Sequence, residues 1–154
     1  MHLGKNSNIS VLIVDDHRIM RDGLKTGLKS DDRISRIYEA GNGRDAILSA
    51  EKYFPDIVLM VINLPDFNGI EVTRQILKIN SNIKVIGLTM HKDKIHVMQM
   101  MAAGACGFLT KTCSARELSH AIHKVLSGKT CVCDEVREIV EEMAAKGDEK
   151  MDET

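Results

Sequence analysis

Asp15 and Asp16 stand where the apolar run 9–14 gives way to the helical pattern Ile19, Met20, Gly23, Leu24, Leu28. In an open parallel sheet, ligands bind at the carboxyl ends of the strands, where a strand hands over to a helix. A nucleotide or flavin site would place glycines or hydroxyls there, so that backbone donors and the helix dipole could hold phosphate. Two adjacent carboxylates would repel a phosphate unless a cation lay between them. The pair therefore points to a hard divalent ion with oxygen ligands, foremost Mg2+. An acidic pair alone is more often a solvated turn or a helix cap, so the weight rests on what else reaches the same edge. Thr89 follows the apolar stretch 83–88, Lys111 follows 105–109, and Val61 to Asn63 close the run 56–62. Thr89 could simply cap a helix and Lys111 could be a solvated loop residue. Two carboxylates, a hydroxyl and an ammonium delivered to one crevice are harder to dismiss jointly.

The elements that must position these groups alternate five times. Strands are expected at 9–14, 34–38, 56–62, 83–88 and 105–109. Helical spacing marks the segments after Asp16, at Ala46, Ile47, Ala50, Phe54, at Thr73, Ile76, Leu77, at Ile95, Met98, Met101, Ala102, and at Leu118, Ala121, Ile122, Val125. Gly41-Asn42-Gly43 and Leu64-Pro65-Asp66-Phe67-Asn68-Gly69 are turns. The run 56–62 is nearly continuous in apolar residues, as expected of a central strand covered on both faces. Right-handed crossovers then give an α/β, doubly wound, five-stranded parallel sheet in the order 2-1-3-4-5. The domain is expected over 9–127, after a loose leader at 1–8. A linker and additional helix follow at 128–145, where Val136, Ile139, Val140 and Met143 recur at helical spacing, and a disordered polar tail ends the chain at 146–154. That sixth helix either caps the domain or links and dimerises it.

Composition narrows the classes. The chain has 154 residues, with 21 basic and 22 acidic side chains, so it carries no general nucleic-acid surface. No apolar stretch approaches the roughly 20 residues of a membrane span, and a cytoplasmic location is expected. Cys106, Cys113, Cys131 and Cys133 lack paired zinc spacing and read as reduced thiols, with Cys131-Val132-Cys133 the one candidate redox or metal pair. His17, His91 and His96 lack fixed pair spacing and read as solvated histidines.

Asp15-Asp16, Asn63-Leu64-Pro65 with Gly69, Thr89, and Phe108-Leu109-Thr110-Lys111 together resemble the receiver domain of bacterial two-component response regulators. The segments 88–91 and 103–109 look most like its NarL/FixJ transcription-factor branch. The resemblance implies a CheY-like fold and Mg2+ held by Asp15, Asp16 and the backbone carbonyl of Asn63. It also implies an aspartate at the end of strand three that takes a phosphoryl group from a sensor histidine kinase. Thr89 and Lys111 would bind that group, and Phe108 would turn with the switch. The chain departs from this pattern at one position: the phosphoacceptor aspartate should stand two residues before Asn63, and Val61 stands there. Valine has no nucleophilic oxygen, so no acyl phosphate can form. Metal binding should weaken too, since a unit charge pair at about 4 Å is worth on the order of 4 kcal/mol at intermediate dielectric. Asp56 begins the strand and Asp66 lies in the next loop, so neither substitutes.

Three functions are weighed on these residues. The first is a receiver module that is not an enzyme and is silenced at Val61, part of a DNA-binding regulator and capable of homodimerising. Nothing after Gly128 supplies a basic helix-turn-helix, so DNA contact is expected only from a longer parent protein. The second is a phosphorylation-independent pseudo-receiver whose surface is the Met98, Met100, Met101 helix or the sixth helix. The third is a Mg2+-dependent phosphohydrolase with Asp15 as nucleophile, disfavoured because such enzymes show D-x-D where this chain has adjacent acids.

Overall fold

The computed structural model describes residues 8–90, 94–132, 137, 138 and 141. Strand and helix alternate as β1 (Ile9–Val14), α1 (Arg18–Lys29), β2 (Ile34–Ala40), α2 (Gly43–Tyr53), β3 (Ile57–Val61), α3 (Gly69–Ile79), β4 (Lys84–Thr89), α4 (Lys94–Ala103), β5 (Gly107–Thr110), α5 (Ala115–Leu126) and β6 (Cys131–Val132). The sheet order is β2-β1-β3-β4-β5-β6, and every pairing is parallel.

This bears out the α/β fold and the order of the first five strands, and corrects their number. Gly107 registers with Cys131 and Phe108 with Val132, so a sixth strand closes the edge of β5. Two residues carry no periodicity, which is why 128–145 read as linker and helix alone. The additional helix lies largely outside the described residues, of which Arg137, Glu138 and Glu141 are helical. The leader, Cys133 and the tail lie outside them as well, apart from Asn8.

The strands form because their apolar residues are buried on both faces. All five residues of β3 are buried, as are five of six in β1 and in β4. Helix α1 packs with α5, while α2, α3 and α4 pack in series, so the sheet is covered on two sides. Local chemistry sets the helix ends. Asn42 accepts from the Asp45 amide, and Asn68 from that of Ile70. Ser114 and Glu117 form a reciprocal capping box at α5.

One polar cluster ties the two helices of the α1 face to the loop before β2. The Asp31 carboxylate, 6 % exposed, accepts from Ser119 Oγ at 2.5 Å and His123 Nε2 at 2.7 Å, and from the Arg33 amide at 3.0 Å. Burial pushes the Asp31 carboxyl up, but these hydrogen bonds together hold it well below its usual 3.8. A depressed folded-state value contributes stability above the unfolded pKa and loses it as the pH falls through the folded one. Asp31→Asn is therefore expected to cost on the order of 2 kcal/mol at pH 7. In urea melts its deficit against the parent should shrink steadily below about pH 4. A deficit that stays constant down to pH 2 would refute the assignment.

Candidate functional site

The acidic turn is built by β1 and held from below. The Asp15 amide donates to the Ala40 carbonyl of β2 at 3.1 Å, and Arg21 Nη1 donates to the Asp15 carbonyl at 2.6 Å. Arg21 Nε also reaches Glu39 at 3.3 Å. The Asp15 side chain is fully buried. Its Oδ1 accepts from the His17 amide at 2.9 Å and lies 3.2 Å from His17 Nδ1. The same Nδ1 is 3.3 Å from Asp16 Oδ1, and one ligand atom from each of Asp15, Asp16 and His17 falls within a 4.8 Å cluster.

Across the edge, β4 and β5 deliver Thr89 and Lys111, whose backbones are joined by a 2.8 Å bond from the Lys111 amide to the Thr89 carbonyl. Lys111 Nζ lies 3.0 Å from Asp15 Oδ2, with the Lys111 side chain 9 % exposed. Oδ2 has no hydrogen-bond partner, so this contact is a charge pairing. The third strand ends at Val61, 2 % exposed. The loop after it folds back tightly, with the Gly69 amide donating to the Ile62 carbonyl at 2.6 Å. A Cβ at Gly69 would sit 1.9 Å from the Val61 carbonyl, so only glycine lets the loop close and present Asn63 at the rim.

The result is a crevice of about 270 Å³ lined by His17, Val61, Ile62, Asn63, Thr89, Lys111 and neighbouring apolar residues, with His96 at its border. The structure thus brings Asp15, Asp16, Asn63, Thr89 and Lys111 to one edge around Val61. Phe108 is placed differently: it is fully buried in β5, opposite Gly87 of β4, behind the crevice rather than in it. Three contributions went unread in the sequence. His17 is two-thirds exposed, as a solvated histidine would be, yet its ring touches both carboxylates; its place directly after the acidic pair was the available signal. His96 joins the same crevice from α4, and Arg21 supports the turn one helical turn after His17. His91 lies outside the described residues.

The two other aspartates near β3 are committed elsewhere. Asp56 Oδ2 accepts from the Ser10 amide and hydroxyl at 2.9 and 3.2 Å, at the opposite end of the sheet. Asp66 accepts from the Gly43, Arg44 and Phe67 amides at 2.7, 3.0 and 2.9 Å. Although desolvation pushes Asp66 up, these donors hold its carboxyl below the usual range. It serves as a cap on α2.

A family profile described as the response regulator receiver domain matches residues 11–123. The chain belongs to that family. Among relatives, this receiver domain is 34% identical over 122 residues to the transcriptional regulatory protein DegU of Brevibacillus brevis, covering 79% of this chain and 52% of that protein. It is 34% identical over 128 residues to the response regulator UvrY of Escherichia coli (strain K12), covering 83% and 59%. The receiver thus spans between half and three fifths of these relatives. A two-component response regulator of the LuxR family from Aurantimonas sp. SI85-9A1 superposes with a TM-score of 0.82 at 31% identity, over 90% of this chain and 99% of that one. A CheY-like receiver domain protein from Methanospirillum hungatei JF-1 gives 0.74 at 25% identity, over 79% and 96%.

Receiver domains generally bind Mg2+ at an acidic site, and the donors here fit a hard cation in kind. Asp15 Oδ2 is a buried oxygen with no hydrogen bond, and Asp16 lies beside it, 32 % exposed. Among the described residues, no helix is long and apolar enough to cross a membrane.

Proposed function

We propose that this chain is the receiver module of a DNA-binding response regulator, silenced for phosphoryl acceptance because Val61 occupies the phosphoacceptor position. The observation that carries the reading is the setting of Val61. It ends β3 and lines the crevice, with Thr89 and Lys111 lining the same space and Asp15 paired to Lys111. The groups this reading assigns to phosphoryl binding, Thr89 and Lys111, flank a side chain that has no oxygen to accept one. Asp15 does not take over as nucleophile, because Oδ1 is held by the His17 amide and Oδ2 faces an ammonium.

In the parent form, a sensor histidine kinase would supply the phosphoryl group, adding about −1.5 to −2 charges at the end of β3. Thr89 and Lys111 would move toward those charges, and Phe108 would follow, shifting the population of states at α4, β5 and α5. Asp15, Asp16 and the Asn63 carbonyl would hold Mg2+, which supplies positive charge against the phosphoryl oxygens when bound. With Val61 in place, that ion is held weakly and the chain stays in its unphosphorylated ensemble. The relatives named as transcriptional and response regulators support a DNA-binding half in a longer protein.

A second reading has one observation in its favour. Of the helix methionines expected to form the interaction surface, Met100 is fully buried and Met101 packs against the core, so only Met98 faces outward. Met98, Met90 and Ile95 are 41, 55 and 64 % exposed around α4, apolar surface suited to a partner protein whether or not phosphate is present.

Amide NMR during titration with Mg2+ and beryllofluoride, on this chain and on Val61→Asp, decides between them. The Asp variant is expected to respond at Thr89, Lys111 and Phe108, and the parent is expected to be silent. Silence from both would overturn the receiver reading in favour of the interaction module, and a response from the parent would mean that a different residue accepts the group.

A further inference from the structure

The chain contains two tyrosines and no tryptophan, and the two phenols are stacked on each other. Tyr38 of β2 and Tyr53, the last residue of α2, have ring centroids 4.1 Å apart and planes within 12° of parallel. Aromatic pairs more often sit at about 4.5–7 Å, offset or edge-on, so this pair is close. Tyr53 is 41 % exposed and Tyr38 is half-buried against the core. One phenol is therefore open to a reagent in solution while a second lies against its face. We propose that Tyr38 and Tyr53 form an oxidative modification site: a one-electron oxidant couples their rings into a dityrosine that staples the edge strand β2 to the end of α2. Neither ring lines the acidic crevice, so the inference goes beyond the receiver reading and does not depend on it.

The step balances with two equivalents of oxidant. Each phenol gives one electron to the oxidant and its hydroxyl proton to water. The two phenoxyl radicals join at ring carbons beside the hydroxyls, forming one carbon–carbon bond, and the hydrogen on each joined carbon moves to its own oxygen. Both rings ride on fixed backbone. Tyr38 registers with Leu12 of β1, and α2 is seated by Ala46 and Ala50, both fully buried. The Phe54 amide closes the last turn of α2 on the Ala50 carbonyl at 3.1 Å. A radical on Tyr53 thus meets Tyr38 at high effective concentration, ahead of any second chain in dilute solution. Lys52 Nζ lies 5.2 Å from the Tyr53 ring centroid. A cation there opposes a charged ring radical, so the proton leaves with the electron and the phenoxyl is neutral. Among competing donors, burial pushes the Cys106 and Cys131 thiols up, which keeps them from the more reactive thiolate form.

The test is photolysis of a ruthenium tris-bipyridyl complex with persulfate, which makes a one-electron oxidant in buffer and in urea alike, on the dilute full chain, Tyr38→Phe and Tyr53→Phe. The full chain is expected to gain the blue fluorescence of dityrosine while staying monomeric on a denaturing gel. Cleavage after lysine and arginine should yield segment 37–44 joined to segment 53–74, lighter than the two together by two hydrogen atoms. The yield should fall about tenfold or more in urea, where the stack is lost. The linked chain should melt above the unlinked one, because the bridge restricts the unfolded chain. Each Phe variant keeps a ring in the stack but lacks one phenol, and should form no link within a chain. Dityrosine found only between chains, an equal yield in urea, or tyrosines recovered unlinked after full exposure to the oxidant would overturn the proposal. A linked chain that melts no higher than the unlinked one would refute the staple. The receiver reading stands or falls separately, on the beryllofluoride response of Val61→Asp.

Discussion

Val61→Asp is expected to melt below the parent when no divalent ion is present, by about 1–3 kcal/mol. Val61 is 2 % exposed and pairs with Leu88 in the middle of the sheet. The β1–β3 register sets Val14 beside Met60, so position 61 lies abreast of Asp15 on the neighbouring strand. A second carboxylate there enters a site that already holds one fully buried charge, and a single Lys111 must serve both. Loss of the valine methyls from the core adds to the cost. The shared ammonium offsets part of it, which keeps the expected figure below the cost of an unpaired buried charge. Mg2+ should reverse the order of effects. A ion that binds only the folded state stabilises it in proportion to the logarithm of its concentration over Kd. The Asp variant, with three carboxylates, should therefore gain far more from Mg2+ than the parent. Urea melts of both chains in chelator and in Mg2+ test this directly, and an Asp variant clearly more stable than the parent without metal would refute it.

The architecture was legible because its strands are buried on both faces and so read as unbroken apolar runs. Residues 56–62 announced β3, and the turn at 41–43 placed α2. The site was legible through strand ends, since the acidic pair after β1, Thr89 at the end of β4 and Lys111 after β5 stood out against apolar neighbours. What escaped had no local signal. β6 is two residues long, and its pairing with Gly107 and Phe108 depends on an open edge 20 and more residues earlier in the chain. The pairing of Lys111 with Asp15 joins residues 96 positions apart. Likewise Asp66 could be excluded as a phosphoacceptor by its position, but its duty as a cap on α2 appears only when two loops are brought together.

Gly87→Ala is the second substitution with a large expected effect. Gly87 of β4 lies directly opposite Phe108 of β5, and a Cβ added there would meet Phe108 ring atoms at 2.7 and 2.9 Å and the Met100 methyl at 3.2 Å. Phe108 and Met100 are both fully buried, so neither has free space to retreat into. Overpacking of this kind costs about 1–3 kcal/mol, against which the lower chain entropy of alanine returns about 0.4–1 kcal/mol. A double-mutant cycle separates the causes. In a Phe108→Ala background the extra methyl meets no ring, so Gly87→Ala should become neutral or stabilising there. If Gly87→Ala alone is as stable as the parent, with the Phe108 ring unmoved by NMR, the inward seat of the ring is not held by this contact. The functional consequence follows from the receiver reading. Phosphoryl entry at the end of β3 would act on Phe108 through Thr89 and Lys111, whereas Gly87→Ala acts on the ring from below. It should therefore shift Phe108, and with it the surface of α4 and β5, without any phosphoryl group.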